Sequence, residues 1–271
     1  KKHDRKPRKR KYAVEIMVTD LHLGKVGFDE RTLTLNWSLE ESANVYHQVI
    51  KDAVDRIGTE NIDHFVLPTG NDLLNIDSGN NATTKGTPPM TGEFWGTLFR
   101  YAKEMLVYSI DELATIAPVH VYFVPGNHDN DSTFSLGEVV SAWYRNDKRV
   151  IVHNEANKRQ YHEWGECAIL YDHLDFKFSD AHKLFSTSAP HLVAKKYKAI
   201  HGGHRHKTQR NTILDLTMRD EVNGIDVEIC PALSPTDRWH WKNLYIGNLR
   251  RSKTFVWDKD HGCKQELYFN L

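Results

Sequence analysis

Five short segments carry the residues of this chain that could do metal chemistry. They are Asp20-Leu21-His22, Gly70-Asn71-Asp72, Gly126-Asn127-His128-Asp129, His173 and Gly203-His204-Arg205-His206. Carboxylate, amide and imidazole groups bind hard and borderline divalent cations, and two such cations side by side can drive hydrolysis of a phosphoester. One helix or hairpin cannot surround two ions, so the ligands must arrive from several loops. The flanking sequence provides for this. Four of the segments follow apolar runs that read as strands: Ala13–Val18, His64–Pro68, Val119–Val124 and Lys198–Ile200. In open α/β sheets, ligands gather at the carboxyl ends of the strands, so these segments are expected to converge on one edge.

Taken singly, the segments differ in weight. Asp-x-His is common, and on an extended strand end it points both side chains the same way. Gly-Asn-Asp is also ordinary turn chemistry. Pro125-Gly126-Asn127-His128-Asp129 is the most specific: the Asn127 amide oxygen can ligate a cation, and His128 beside it can act as general acid near neutral pH. His204 and His206 occupy alternate positions after a strand, and the glycines before them let the backbone approach closely. His173 competes with His182, His191 and His201, and is preferred because it follows the apolar run Ala168–Tyr171.

Between these segments the chain alternates element types. Trp37–Ile57 and Glu93–Ile116 have apolar residues at helical spacing, ended by Gly58 and by Ala117-Pro118, and Ser135–Arg145 reads as a third helix. The polar stretch Asp77–Gly92 is long for a loop in a compact domain, and reads either as a lid or as a plain insert. Beyond residue 148 the runs are short and β-like: Val150–His153, Arg159–Trp164, Cys167–Tyr171, Thr212–Met218, Ile225–Ile229 and Thr254–Trp257. A β-α-β-α-β first half with parallel crossovers and a mainly β second half predict two face-to-face sheets with helices outside.

Composition bounds the reading. With 271 residues, 39% hydrophobic and 27% charged, the chain has the make-up of an ordinary globular protein. No apolar run approaches the ~18 residues of a membrane span, and the basic start lacks the apolar core of a signal peptide. Cys167, Cys230 and Cys263 are odd in number and widely spaced, which suits small buried residues in a reducing, cytoplasmic setting. Residues 1–11 carry eight Lys/Arg against one Asp; taken from 36 basic and 36 acidic residues, they leave 28 against 35. We read 1–11 as a solvated basic tail or linker, with a nucleic-acid tether as the sharper alternative. The chain opens at Lys1, which leaves room for an upstream module.

In order, spacing and content, the motifs resemble those of the calcineurin-like metallophosphoesterase superfamily over roughly residues 12–210. They look closest to phage-type members and to Mre11/SbcD-like DNA nucleases. The resemblance implies an α/β fold, an αββα sandwich of two mixed β-sheets flanked by helices, with 12–271 as the metallophosphoesterase domain. It also implies a dinuclear centre. Asp20, His22 and His206 would bind one divalent ion; Asn127, His173 and His204 the other; Asp72 would bridge them. A bridging hydroxide would attack, and His128, unligated, would protonate the leaving group. Donors restricted to O and N make Mn2+ the first choice, with Fe, Zn or Mg as alternatives. Two departures stand out. Protein phosphatases resemble one another in an Asp-Arg-Gly where this chain has Asn75-Ile76-Asp77, so the phosphate-clamping Arg is missing. The Mre11-like nucleases usually carry His at the place of Asn75, the residue expected to orient His128.

The ligand chemistry specifies a phosphoester without saying which. The basic tail, the cluster Lys195, Lys196, Lys198, Arg205, Lys207 and Arg210, and the stretch Trp239-His240-Trp241 favour DNA as substrate, with Arg205 and Lys207 as substrate contacts. Against DNA, the body is acidic, so sequence-independent duplex affinity must come from local patches. The alternatives are a small-molecule or nucleotide phosphodiesterase or a phosphomonoesterase, with Asp77–Gly92 as its lid, and an inactive binding protein of the same fold.

Overall fold

The computed structural model describes residues 11–29, 32–204, 218–242 and 249–271. Its elements are β1 (Tyr12–Met17), the hairpin β2 (Gly27–Asp29) and β3 (Thr34–Asn36), α1 (Leu39–Ile57), β4 (Ile62–Gly70), α2 (Trp95–Ala114), β5 (Val119–Val124), α3 (Asn130–Tyr144) and β6 (Val150–His153). There follow β7 (Gln160–Trp164), β8 (Cys167–Tyr171), β9 (Tyr197–Gly202), β10 (Met218–Val222), β11 (Ile225–Ile229), β12 (Arg251–Asp258) and β13 (Gly262–Asn270). One sheet has the order β13-β12-β1-β4-β5-β6 and the other β10-β11-β9-β8-β7. Strands β1, β4, β5 and β6 run parallel, and β12 closes against β1 antiparallel.

Strand alternation sets the layers. In β1, Val14 and Ile16 point toward the helices, packing with Tyr46, Val49 and Ile50 of α1 and Leu106 and Ile110 of α2. Ala13 and Met17 point the other way, meeting Ile169, Tyr171 and Ala199 of the second sheet. The outer face of that sheet, with Leu170, Ile200 and Val227, is covered by Phe185 and Leu192 from short helical turns between residues 178 and 192. The fold is the expected αββα sandwich. α1 starts at a capping box: Ser38 Oγ accepts from Glu41 N at 3.0 Å, and the Glu41 carboxylate accepts from Ser38 N. Among the described residues, no helix is long and apolar enough to cross a membrane.

Five elements differ from expectation. α3 begins at Asn130, five residues before the expected Ser135. The cause is remote: the Asp77 carboxylate accepts from Ser132 N at 2.7 Å and from Asp131 N at 3.2 Å. Residues 212–217 of the expected strand Thr212–Met218 lie outside the described residues, and β10 begins at Met218. The hairpin β2–β3 and the edge strand β13 were not anticipated.

Between the sheets lies a group of four imidazoles. His64 Nε2 and His162 Nε2 are 3.1 Å apart, Tyr122 Oη meets His162 Nδ1 at 2.9 Å, and His120 Nδ1 meets His153 Nε2 at 3.1 Å. Trp164 packs edge-on to His64, and the Asp63 carboxylate lies 3.1 Å from His64 Nδ1. Burial holds all four pKa values below the ordinary histidine range, His120 at about 4 and His162 far down. In the unfolded chain these rings titrate near ~6.5. Between that value and their folded pKa, the unfolded state binds more protons, so the group's contribution is intact above about pH 6.5 and lost progressively toward about pH 4. A clear fall in melting temperature between pH 7 and pH 5 is therefore expected. A flat profile in a calorimetric pH series would show that the rings are protonated in the fold at no cost.

Candidate metal centre

The loops after β1, β4 and β5 are laced together by their backbones before any side chain is considered. Asp20 N donates to Asn71 O at 2.8 Å, His22 N to Asp72 O at 3.0 Å, and Asn71 N to Val124 O at 2.6 Å. The turns are tight enough that Asp20, His22, Asn71, Asp72 and His204 all have positive φ, between 49° and 84°. Asn, Asp and His are the non-glycine residues that enter this region most readily, and such conformations gather where function requires them.

At two places only glycine leaves room. A Cβ on Gly126 would collide with the Asp72 carboxylate, and one on Gly203 with that of Asp20. Both carboxylates are thus pressed against bare backbone, with His128 N donating to Asp72 Oδ1 at 2.7 Å and His204 N to Asp20 Oδ2 at 3.2 Å.

Two groups of potential ligand atoms result, each with its members within 4.8 Å of one another. One is His22, Asp72 and His128; the other is Asp72, His173 and His204. Asp72 belongs to both. Asn127 joins the second: its Oδ1 lies 2.9 Å from His173 Nε2 and 2.7 Å from His204 Nδ1. Asp20 Oδ1 lies 3.9 Å from His22 Nε2. Of the expected ligands, Asp20, His22, Asp72, Asn127, His173 and His204 are thus brought together. His206 lies outside the described residues, as do the expected substrate contacts Arg205 and Lys207.

The field at the site favours positive charge. Burial alone would lower the His173 pKa, yet the Asp72 carboxylate, backed by Asp20 and Asp129, carries it up to about 9. His173 in turn holds Asp72 low against the effect of burial. Carboxylates that stabilise positive charge on a neighbouring ring in a buried pocket would also stabilise a bound cation. The donor set of oxygens and imidazole nitrogens, with carboxylates seated on glycine, suits divalent metals.

Surrounding side chains orient these groups. His173 Nδ1 sits 3.2 Å from Asn71 Oδ1, an acceptor, so Nδ1 carries the proton and Nε2 faces Asp72 and Asn127. Asp129, fully buried, accepts from Leu74 N and Gly126 N, both at 3.0 Å, and so ties the second and third motif loops together. Burial and the neighbouring Asp72 push its pKa up to about 7. Neither role was read from sequence, although both residues sit inside motifs that were.

One expected role changes. Asn75 was to orient His128 through its side chain. Instead its backbone carbonyl accepts from His128 Nδ1 at 2.9 Å. The Asn75 amide turns away and donates to Met90 O at 3.1 Å and Thr91 Oγ1 at 2.8 Å. A carbonyl fixes the ring and its tautomer as well as an amide would, and the freed side chain secures the 77–92 loop. Asp77 holds the other end of that loop against α3.

The calcineurin-like phosphoesterase family matches residues 16–257, a span that holds every motif described above. The chain belongs to that family. None of the curated proteins matches it. Among solved structures, the crystal structure of the 5'-nucleotidase precursor from Thermus thermophilus is similar at 11% identity with a TM-score of 0.35. The match covers 96% of this chain and 54% of that one, so the chain spans about half the length of that protein. As a calcineurin-like phosphoesterase, the chain is expected to hydrolyse phosphoesters with divalent metals, for which the two His/Asp groups are the candidate ligands.

Proposed function

We propose that this phosphoesterase is a phosphodiesterase acting on DNA, with two divalent ions, Mn2+ foremost. The observation that carries the two-ion reading is the sharing of Asp72 between two ligand groups. Asp72 would bridge the ions. Asp20 and His22, with His206, would complete one site, and Asn127, His173 and His204 the other. Bound metals of this kind neutralise phosphate charge and supply a nucleophile at neutral pH. The chain's own residues do the rest. Asp20 and Asp72 are fixed by backbone donors, Asn71 sets the His173 tautomer, and the Asn75 carbonyl holds His128 through Nδ1, leaving Nε2 as the nitrogen that would protonate a leaving alkoxide.

The choice of diester rests on Ile76, which takes the place of the phosphatases' clamping Arg and is wholly buried. A monoester dianion brings extra charge that such a clamp meets; a diester carries one negative charge and a poorer leaving group, which makes His128 more necessary. The likeness of the motifs to Mre11/SbcD-like nucleases and the basic stretches favour DNA. The second reading, a small-molecule phosphoesterase, is supported by the concave wall that the 77–92 loop forms beside His128. We expect chelation to abolish activity and Mn2+ to restore it best. Bis-p-nitrophenyl phosphate should be cleaved faster than p-nitrophenyl phosphate, and labelled DNA should be cut. Faster monoester hydrolysis with no DNA cleavage would replace this proposal with the phosphomonoesterase reading.

A further inference from the structure

Beside the metal centre lies a cavity of about 850 Å³ that includes Asn127 and His128 in its lining. That volume is ample for a small ligand. From the cavity's remaining walls we infer that the enzyme takes single-stranded nucleic acid, stacking a nucleobase next to the cleaved phosphate on Trp239 and Trp241. The inference rests on the phosphodiesterase reading above and adds the strand state and the recognition element.

Three observations carry it. First, the cavity is lined by two indoles, Trp239 and Trp241, and by Pro88, Pro89 and Met90 of the 77–92 loop. Trp239 is 61% exposed and Trp241 37%, high values for the largest aromatic side chain. Flat apolar faces opening onto a phosphoester site fit a ligand that joins a phosphate to an aromatic ring. Second, Lys85, Arg238 and Lys242 line the same cavity and are exposed, placing cations where neighbouring phosphates of a strand would run. A base offers its face only when it is unpaired and unstacked, so this combination selects a single strand over a duplex.

Third, the platform is built into the metal centre. The helix Arg238–Lys242 begins at Asp237, whose Oδ1 accepts from His240 N at 2.8 Å and whose carbonyl accepts from Trp241 N at 2.9 Å. The buried Lys25 reaches across to it: Nζ lies 3.4 Å from Asp237 Oδ2 and 3.4 Å from Ser234 Oγ. Lys25 N in turn donates to His22 O at 2.9 Å. Phe28 of β2 supports the Trp241 ring from behind, at 5.4 Å between centroids. The short helix that carries both indoles is therefore tied to the first motif, as a subsite must be.

The test is fluorescence anisotropy with the manganese-loaded enzyme and a short, labelled, phosphorothioate-linked oligodeoxythymidylate, compared with the same strand containing abasic residues. Base-bearing strand should bind tighter by about 5- to 150-fold per stacked base. Trp239→Ala should reduce that difference, the Trp239→Ala/Trp241→Ala pair should erase it, and Trp239→Phe should retain most of it. Equal affinity for the abasic strand, or tighter binding of a duplex, would overturn the inference. Equal affinity for thymidine monophosphate would overturn the strand in favour of a free nucleotide. If wild-type enzyme shows the base preference but cleaves no diester, the phosphodiesterase reading fails and the stacking subsite stands. If it cleaves bis-p-nitrophenyl phosphate and shows no base preference, the reverse holds.

Discussion

Asp72→Ala is expected to remove metal and activity together, leaving the protein indistinguishable from chelated wild type. Asp72 is the residue common to both ligand groups, and it is seated with no slack: Gly126 lies against its carboxylate, His128 N donates to Oδ1, and His173 Nε2 stands 3.3 Å from Oδ2. Truncation leaves His173, His204 and Asn127 with no carboxylate between them, and uncouples the His22 side of the site from the other. The loss in turnover should therefore exceed that from deleting any single proton donor. Metal analysis by mass spectrometry checks it. Two equivalents retained by the variant would rule out Asp72 as the bridge.

His128→Ala should lower turnover by about 10²–10⁴-fold, the range for losing one general acid–base group. Its metal content should stay at the wild-type level, because the proposed role is proton donation. The geometry makes this a demanding test. The His128 ring lies 4.6 Å from that of His22 and within ligand range of Asp72, so a direct metal bond is the competing role. The two roles separate cleanly in substrate choice. A proton donor matters most for a poor leaving group, so the deficit should be larger on DNA than on bis-p-nitrophenyl phosphate. Loss of one metal equivalent in the variant would reassign His128 as a ligand.

The motifs were legible because metal-binding side chains cannot be exchanged for others, and because each follows a strand whose apolar run is itself visible. His173 was the hardest to choose among sixteen histidines, and the run Ala168–Tyr171 singled it out. What escaped reading was carried by backbone or by distance in sequence. The Asn75 carbonyl that aims His128 has no residue-type signature. The Asp77 carboxylate that starts α3 at Asn130 sits more than fifty residues upstream, so the local sequence Asn130-Asp131-Ser132 looks like loop. β13 is an edge strand half-buried along most of its length, and the alternation in Cys263-Lys264-Gln265-Glu266 is too weak to announce it. The link from Lys25 to Asp237 joins residues far apart in the chain, and so no spacing rule could reveal that the Trp239–Trp241 stretch borders the metal centre.

The proposed ligands divide between the two sheets, and this bears on how the enzyme matures. Asp20, His22, Asp72 and Asn127 lie at the ends of β1, β4 and β5, whereas His173 and His204 follow β8 and β9 of the second sheet. The polypeptide closes the first sheet last, since β12 and β13 follow the other strands in sequence and β12 pairs against β1. A nascent chain emerging up to β6 would present three of the carboxylate and amide donors with no imidazole from the second layer to complete the second site. The second proposed site is therefore complete only when the two layers have docked. Occupancy of that second site would then report on completed assembly of the sandwich.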